Sequence, residues 1–250
     1  MHIWEYFILL STVLLGGLAA QLVNPKDQSS LQLFLSFSGA YILGICVMDI
    51  MPTVFRSSVE HVGIYILVGF FIQLVLEQFS GGVEHGHIHV PHHEEQVRRH
   101  TTMVMIGLCL HAFIEGLPLG GHDHNHDEHH LLWSIVLHKA PAAFALVLLL
   151  KKSGYKNFTL WILLFIFALM SPLAASLTSA FTAQDQIGSW HINVLQAVVI
   201  GSFLHIATTI LFESDSSRDH HAVPLPKLLA ILVGIGISVF SVILLSLIHI

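Results

Sequence analysis

The stretch Leu110-His111-Ala112-Phe113-Ile114-Glu115-Gly116-Leu117-Pro118 decides how the rest of the chain is read. It sets a histidine and a glutamate at i and i+4 inside an otherwise apolar run. On an α-helix such positions lie one above the other, so His111 and Glu115 share a face. Further along stands Leu137-His138-Lys139-Ala140-Pro141, again deep in an apolar run. Imidazole nitrogen and carboxylate oxygen both ligate zinc and its first-row neighbours. The two runs read as helices lining a metal site, and Pro118 and Pro141 add breaks that free backbone carbonyls beside it.

Working outward, 54% of the 250 residues are apolar and only 10% charged, with a mean hydropathy of +0.74. A soluble domain carries about a quarter charged residues, so the chain reads as an all-α integral membrane protein. A span takes roughly 20 apolar residues. Eight such segments fall at about 3–23, 31–54, 61–79, 101–119, 131–150, 159–181, 191–212 and 228–250, filling residues 1–250 as a single membrane domain. The first starts at the initiator methionine without a basic stretch before it. It is also too long for a signal peptide's apolar region, and reads as a retained span. Connections carry turn signals, among them Asn24-Pro25-Lys26-Asp27 and Lys151-Lys152-Ser153-Gly154.

Basic residues fall in alternate loops: Lys26; Arg98 and Arg99; Lys151, Lys152 and Lys156; Arg218 and Lys227. The opposite loops hold only Arg56. The positive-inside rule then places 24–30, 80–100, 151–158 and 213–227 in the cytoplasm and both termini outside. The expected setting is the plasma (or inner) membrane. The bilayer is the expected partner, and no nucleic acid is. Cys46 and Cys109 lack metal-ligand or disulfide spacing and read as small buried residues.

Twenty histidines are the compositional anomaly. One tract, Glu84-His85-Gly86-His87-Ile88-His89 with His92 and His93, lies between spans three and four. A second lies between spans four and five and holds His122, His124, His126, His129 and His130. Such tracts bind metal weakly and exchangeably, or serve simply as solvated polar loops.

Ionisable groups inside spans cost several kcal/mol unless they face a partner or a cavity. They are Asp49, Glu77, His111, Glu115, His138, Lys139 and His205, with Glu5 and His249 nearer the ends. His111, Glu115 and His138 sit near the middle of consecutive antiparallel helices and so can meet at one depth. Lys139 is expected to point at Glu115 or Asp49, either replacing a second cation or forming an ordinary ion pair. Asp49, just before Ile50-Met51-Pro52, attracts an incoming cation or caps a local break. Glu77 is expected to reach the interface, and His205 either adds a ligand or hydrogen-bonds its surroundings. The runs Gly16-Gly17, Ala174-Ala175-Ser176 and Gly234-Ile235-Gly236 read as close helix packing.

These residues resemble the ZIP (Zrt/Irt-like) family of metal transporters over essentially the full length. The fourth-span signature His-x-x-x-Glu-Gly stands as His111 to Gly116, and the fifth-span His-Lys-x-x-x-Ala form as His138, Lys139 and Ala143. Gly39, Asp49 and Pro52 match the second span, and Gly201-Ser202-Phe203-Leu204-His205 is similar to the seventh. The resemblance implies an eight-helix bundle with extracellular termini that moves divalent metal into the cytoplasm. His111, Glu115 and His138 would be the transport ligands. Spans one, four, five and six would shift in an elevator-like motion against the other four, often in a homodimer. Where some members hold a second metal, this chain has Ala112, Lys139, Ala142 and Ser171, so the resemblance implies one site with Lys139 in the second-metal region. His205 stands where an aromatic is common, as a further gate ligand or a change in packing. Zinc is the expected cargo, with Fe2+, Mn2+ or Cd2+ accessible to the same ligands, and no enzyme activity is expected. The alternative is an intramembrane zinc-dependent hydrolase, with His111, His138 and His205 on the metal and Glu115 as base, although His-Glu-x-x-His is missing.

Overall fold

A computed structural model describes residues 2–22, 28–80, 94–121, 127–213 and 224–248. The apolar runs fold as helices because a backbone inside a bilayer must satisfy its own hydrogen bonds. Helix α1 is Ile3–Leu22. Helix α2, Gln28–Ile45, widens into a π turn at Cys46–Ile50 and continues as α3, Met51–Arg56. Then follow α4 (Val62–Ser80), α5 (Glu94–Gly116, tightening to a 3-10 turn at Leu117–Gly120) and α6 (Asp127–Lys152). Helices α7 (Asn157–Ala183), α8 (Ser189–Glu213) and α9 (Leu225–Ile248) complete the described elements. Taking α2 to α3 as one span, eight helices are long and apolar enough to cross a membrane. All eight segments expected from hydropathy are present, and no strand occurs among the described residues.

Local chemistry sets the ends. After α6, Tyr155 N–H donates to Leu150 O, and Gly154 N–H to Lys151 O. That is a Schellman cap, and it requires the positive φ of 76° that Gly154 adopts. In the second span, Pro52 has no N–H for the carbonyl one turn earlier, and Met51 N–H reaches back to Cys46 O across the π turn. Asp49 stands in that turn, at the break its neighbouring proline signalled.

The helices pack in two sets. Helix α1 lies on α6 and α7, and α5 lies on α7. In the other set, α4 lies on α8, and α2 on α8 and α9. Contacts of α2 with α6 and of α4 with α5 join the two. Helix α6 is central, with 83% of its most apolar window buried, against 22% for α4 and 17% for the last span. The outer helices turn large apolar side chains outward, such as Leu67, Phe71, Leu232 and Phe240. In water this surface would be a liability; in a bilayer lipid covers it.

Small residues let the helices approach, as expected. A Cβ on Gly16 would come within 2.5 Å of Ala140 O, one on Gly17 would strike Leu164, and one on Gly234 would strike Phe37 O. Gly236 departs from that expectation, with nothing within 4 Å. Gly236→Ala should therefore stabilise the helix by about 0.4–1 kcal/mol, readable as a small rise in melting temperature in detergent.

Two apolar clusters fill the interior. One gathers Val104 and Leu108 of α5, Leu146 to Leu150 of α6 and Leu160 to Ala168 of α7. The other gathers Leu119, Leu131 to Val136, Ala175 and Phe203. Along α5, α6 and α7 the chain passes from one cluster to the other at a thin polar layer. That layer holds the site.

Candidate metal site

Helix α5 supplies His111 and Glu115, and their i, i+4 spacing brings Nε2 and Oε1 to 2.8 Å. A ring nitrogen and a carboxylate oxygen this close repel each other unless a proton or a cation lies between them. Helix α6 brings in His138, whose ring meets that of His111 edge to face with centroids 5.6 Å apart. The candidate ligand atoms of His111, Glu115 and His138 all lie within 4.8 Å of one another. Each residue is at most 2% exposed. Ligands on a tetrahedral ion at about 2.0–2.1 Å lie roughly 3.4 Å apart, so small side-chain rotations close the set around one ion.

Lys139, beside His138 in sequence, points at Glu115, one of the two partners expected for it. Its Nζ is 3.4 Å from Glu115 Oε2, and the ammonium lies 5.2 Å from the Phe167 ring centroid, a cation–π contact. Glu115 thus divides its two oxygens between a histidine and a lysine. Two further positions where the resemblance implied a second-metal region, Ala112 and Ser171, contact each other. Ser171 Oγ donates to Ala112 O at 2.5 Å, and Ala112 is fully buried in the apolar cluster below.

The junction of α5 and α7 rests on Gly116. A Cβ there would lie 2.5 Å from Ser171 O and 2.6 Å from Ser171 Cα. With the Ser171 hydrogen bond alongside, this contact fixes the depth and rotation of Glu115 relative to α7.

Of the two readings open for His205, the structure shows the hydrogen-bonded one, with Glu77 as its partner. The Glu77 side chain is 17% exposed and pairs with His205 Nε2 at 2.5 Å. His205 is buried, stacks edge to face on Phe70, and is held by Glu77 rather than joining the cluster. The three-histidine ligand set of a hydrolase is thus not the one assembled among the described residues. Asp49 stands in the π turn of the second span and is not one of the three residues clustered as ligands.

Sequence reasoning passed over Gln73. This fully buried side chain on α4 places Oε1 2.9 Å from His111 Nδ1 and 3.0 Å from Ser202 Oγ. The available signal was an amide in the middle of the run Phe70-Phe71-Ile72-Gln73-Leu74-Val75. A survey of ionisable groups alone does not catch it. Of the histidine tracts, His85, His87, His89, His92, His93, His122, His124 and His126 lie outside the described residues, while His129 and His130 belong to the start of α6.

With this geometry in hand, the family profile described as ZIP Zinc transporter matches residues 81–242. The chain belongs to the ZIP family. Among curated relatives of this ZIP chain, Zinc transporter ZIP1 of Danio rerio is 25% identical over 250 residues, covering 80% of this chain and 81% of the relative. Zinc transporter ZIP9 of Micropogonias undulatus is 30% identical over 173 residues, covering 64% and 54%. Protein zntD of Dictyostelium discoideum is 26% identical over 178 residues, which is 67% of this chain and 26% of that protein. This ZIP chain thus spans about half or less of the length of several relatives it matches.

Proposed function

We propose that this protein carries a divalent metal ion across the bilayer, with zinc as the preferred cargo, through one site formed by His111, Glu115 and His138. The convergence of these three buried side chains from two helices, between two apolar clusters, carries the reading. Two imidazoles and one carboxylate replace enough of an ion's hydration to bind it. Because the ligands must shed protons to bind, local pH and water access can also release it. The same set accepts Fe2+, Mn2+ or Cd2+, since ligand type separates these ions poorly.

Packing of α1, α5, α6 and α7 as one set and α2, α4, α8 and α9 as another supports an elevator motion of the first against the second. The alternation of basic loops supports outward termini, and the family resemblance supports movement of the ion toward the cytoplasm across the plasma (or inner) membrane. Asp49 and the Glu77–His205 pair would serve the path to and from the site. Lys139 stands for the second cation that other family members are thought to hold, and a homodimer is the expected assembly. The histidine tracts would gather metal at the two mouths.

The test is zinc uptake into proteoliposomes holding an internal fluorescent indicator. Wild type should take up zinc, and folded His138→Ala should lose about 10–100-fold of that rate or more, the loss expected when a metal shell is disturbed. Well-folded wild type that moves no zinc under any pH or ion gradient would overturn the proposal.

A further inference from the structure

Gln73 lies where three helices meet. It stands on α4, while its Oε1 faces His111 Nδ1 on α5 at 2.9 Å and takes the Ser202 hydroxyl of α8 at 3.0 Å. A carbonyl oxygen has two lone pairs, and Ser202 O–H uses one. The other is left for a ring N–H. His111 then carries its hydrogen on Nδ1, which leaves the Nε2 lone pair for a cation held between it and Glu115. A ligating histidine works in this way, its second nitrogen donating to an oxygen that fixes both tautomer and ring angle.

The support for Gln73 is itself rigid. Gly69 of α4 sits against the backbone of Val198, and Gly201 of α8 against the backbone at Ile66 and Phe70. No side chain separates the two helices at either point, and Ser202 follows directly on Gly201. A carboxamide also adds no charge to a buried site that already balances Glu115 against Lys139.

We infer that Gln73, anchored by Ser202, is the positioning residue that presents His111 Nε2 to the metal. It is also the polar link from the helices carrying the ligands to the α4–α8 pair. This inference rests on the proposed metal site and assigns that site's orientation to a residue outside the ligand set.

The experiment measures zinc affinity of the purified full-length protein in detergent by competition with a chromophoric chelator, alongside the visible spectrum of bound Co2+. Variants are Gln73→Leu, Gln73→Asn, Gln73→Glu and Ser202→Ala, with His111→Ala as the control for the site itself. Gln73→Leu and the shortened Gln73→Asn should each weaken zinc binding about 10–100-fold and alter the Co2+ bands. Gln73→Glu, which keeps both acceptor contacts at full length and adds a negative charge beside His111, should bind zinc at least as tightly as wild type. Ser202→Ala should fall between. Should Gln73→Leu fail to fold, Gln73→Asn against Gln73→Glu decides. Wild-type affinity and bands in folded Gln73→Asn, or a Gln73→Glu as weak as Gln73→Asn, would overturn the inference. If His111→Ala itself binds zinc like wild type, the fault lies with the site and not with Gln73.

Discussion

Glu115→Ala should abolish zinc binding and lower stability by about 3–5 kcal/mol, while Glu115→Ala with Lys139→Met should recover most of the stability and none of the binding. The two effects come from different oxygens of one carboxylate. Oε1 faces His111 Nε2 at 2.8 Å and belongs to the proposed ligand set; Oε2 faces Lys139 Nζ at 3.4 Å. Lys139 is only 1% exposed, so removing Glu115 leaves an ammonium with the Phe167 ring close by and its carboxylate gone. Breaking a buried pair from one side is expensive, whereas replacing it with apolar groups of similar volume is often neutral. Methionine fills the lysine's volume without its charge. Denaturation in detergent micelles reads the first effect, and chelator competition reads the second. A double variant that binds zinc like wild type would remove Glu115 from the ligand set. One as unstable as Glu115→Ala alone would show that the lysine is not what Glu115 stabilises.

Gly116→Ala is the smallest substitution expected to disable the site without touching a ligand. Its Cβ would sit 2.5 Å from Ser171 O, a backbone atom that cannot rotate away. Helix α5 must then lift from α7. The Ser171 hydroxyl would lose Ala112 O, and His111 and Glu115 would move with their helix. Overpacking of this kind costs about 1–3 kcal/mol. Displacing the ligands should cost about 10–100-fold in zinc affinity, as loss of outer support does at metal sites. Gly236→Ala is the matched control, since a Cβ there meets nothing within 4 Å. If Gly116→Ala binds zinc as tightly as that control, the α5–α7 junction does not set the ligand geometry.

What the sequence revealed depended on how local the signal was. Eight spans were legible because each is a long apolar run, and the shared face of His111 and Glu115 because helical period alone produces it. That His138 joins them followed from similar depth in neighbouring antiparallel helices. The partner of Lys139 was left between Glu115 and Asp49, because the choice depends on helix rotation, which spacing does not contain. The partner of Glu77 was hidden for a related reason. Position near a span's end suggests exposure, but a histidine on α8, far away in sequence, covers it. Gln73 was missed because its role arises only where α4, α5 and α8 cross. Pro52 marked a break in the second span, yet it did not show that the break takes the form of a π turn carrying Asp49.

The pairing of Glu115 with Lys139 also has an electrical consequence. With both imidazoles neutral, the polar layer carries no net charge until a divalent ion arrives, and then carries the ion's full charge. Moving one elementary charge through 100 mV changes its energy by about 2.3 kcal/mol, so a doubly charged site displaced across the whole field gains or loses roughly 4.6 kcal/mol. On the proposed elevator motion, a resting voltage would push on the loaded site and leave the vacant one almost untouched.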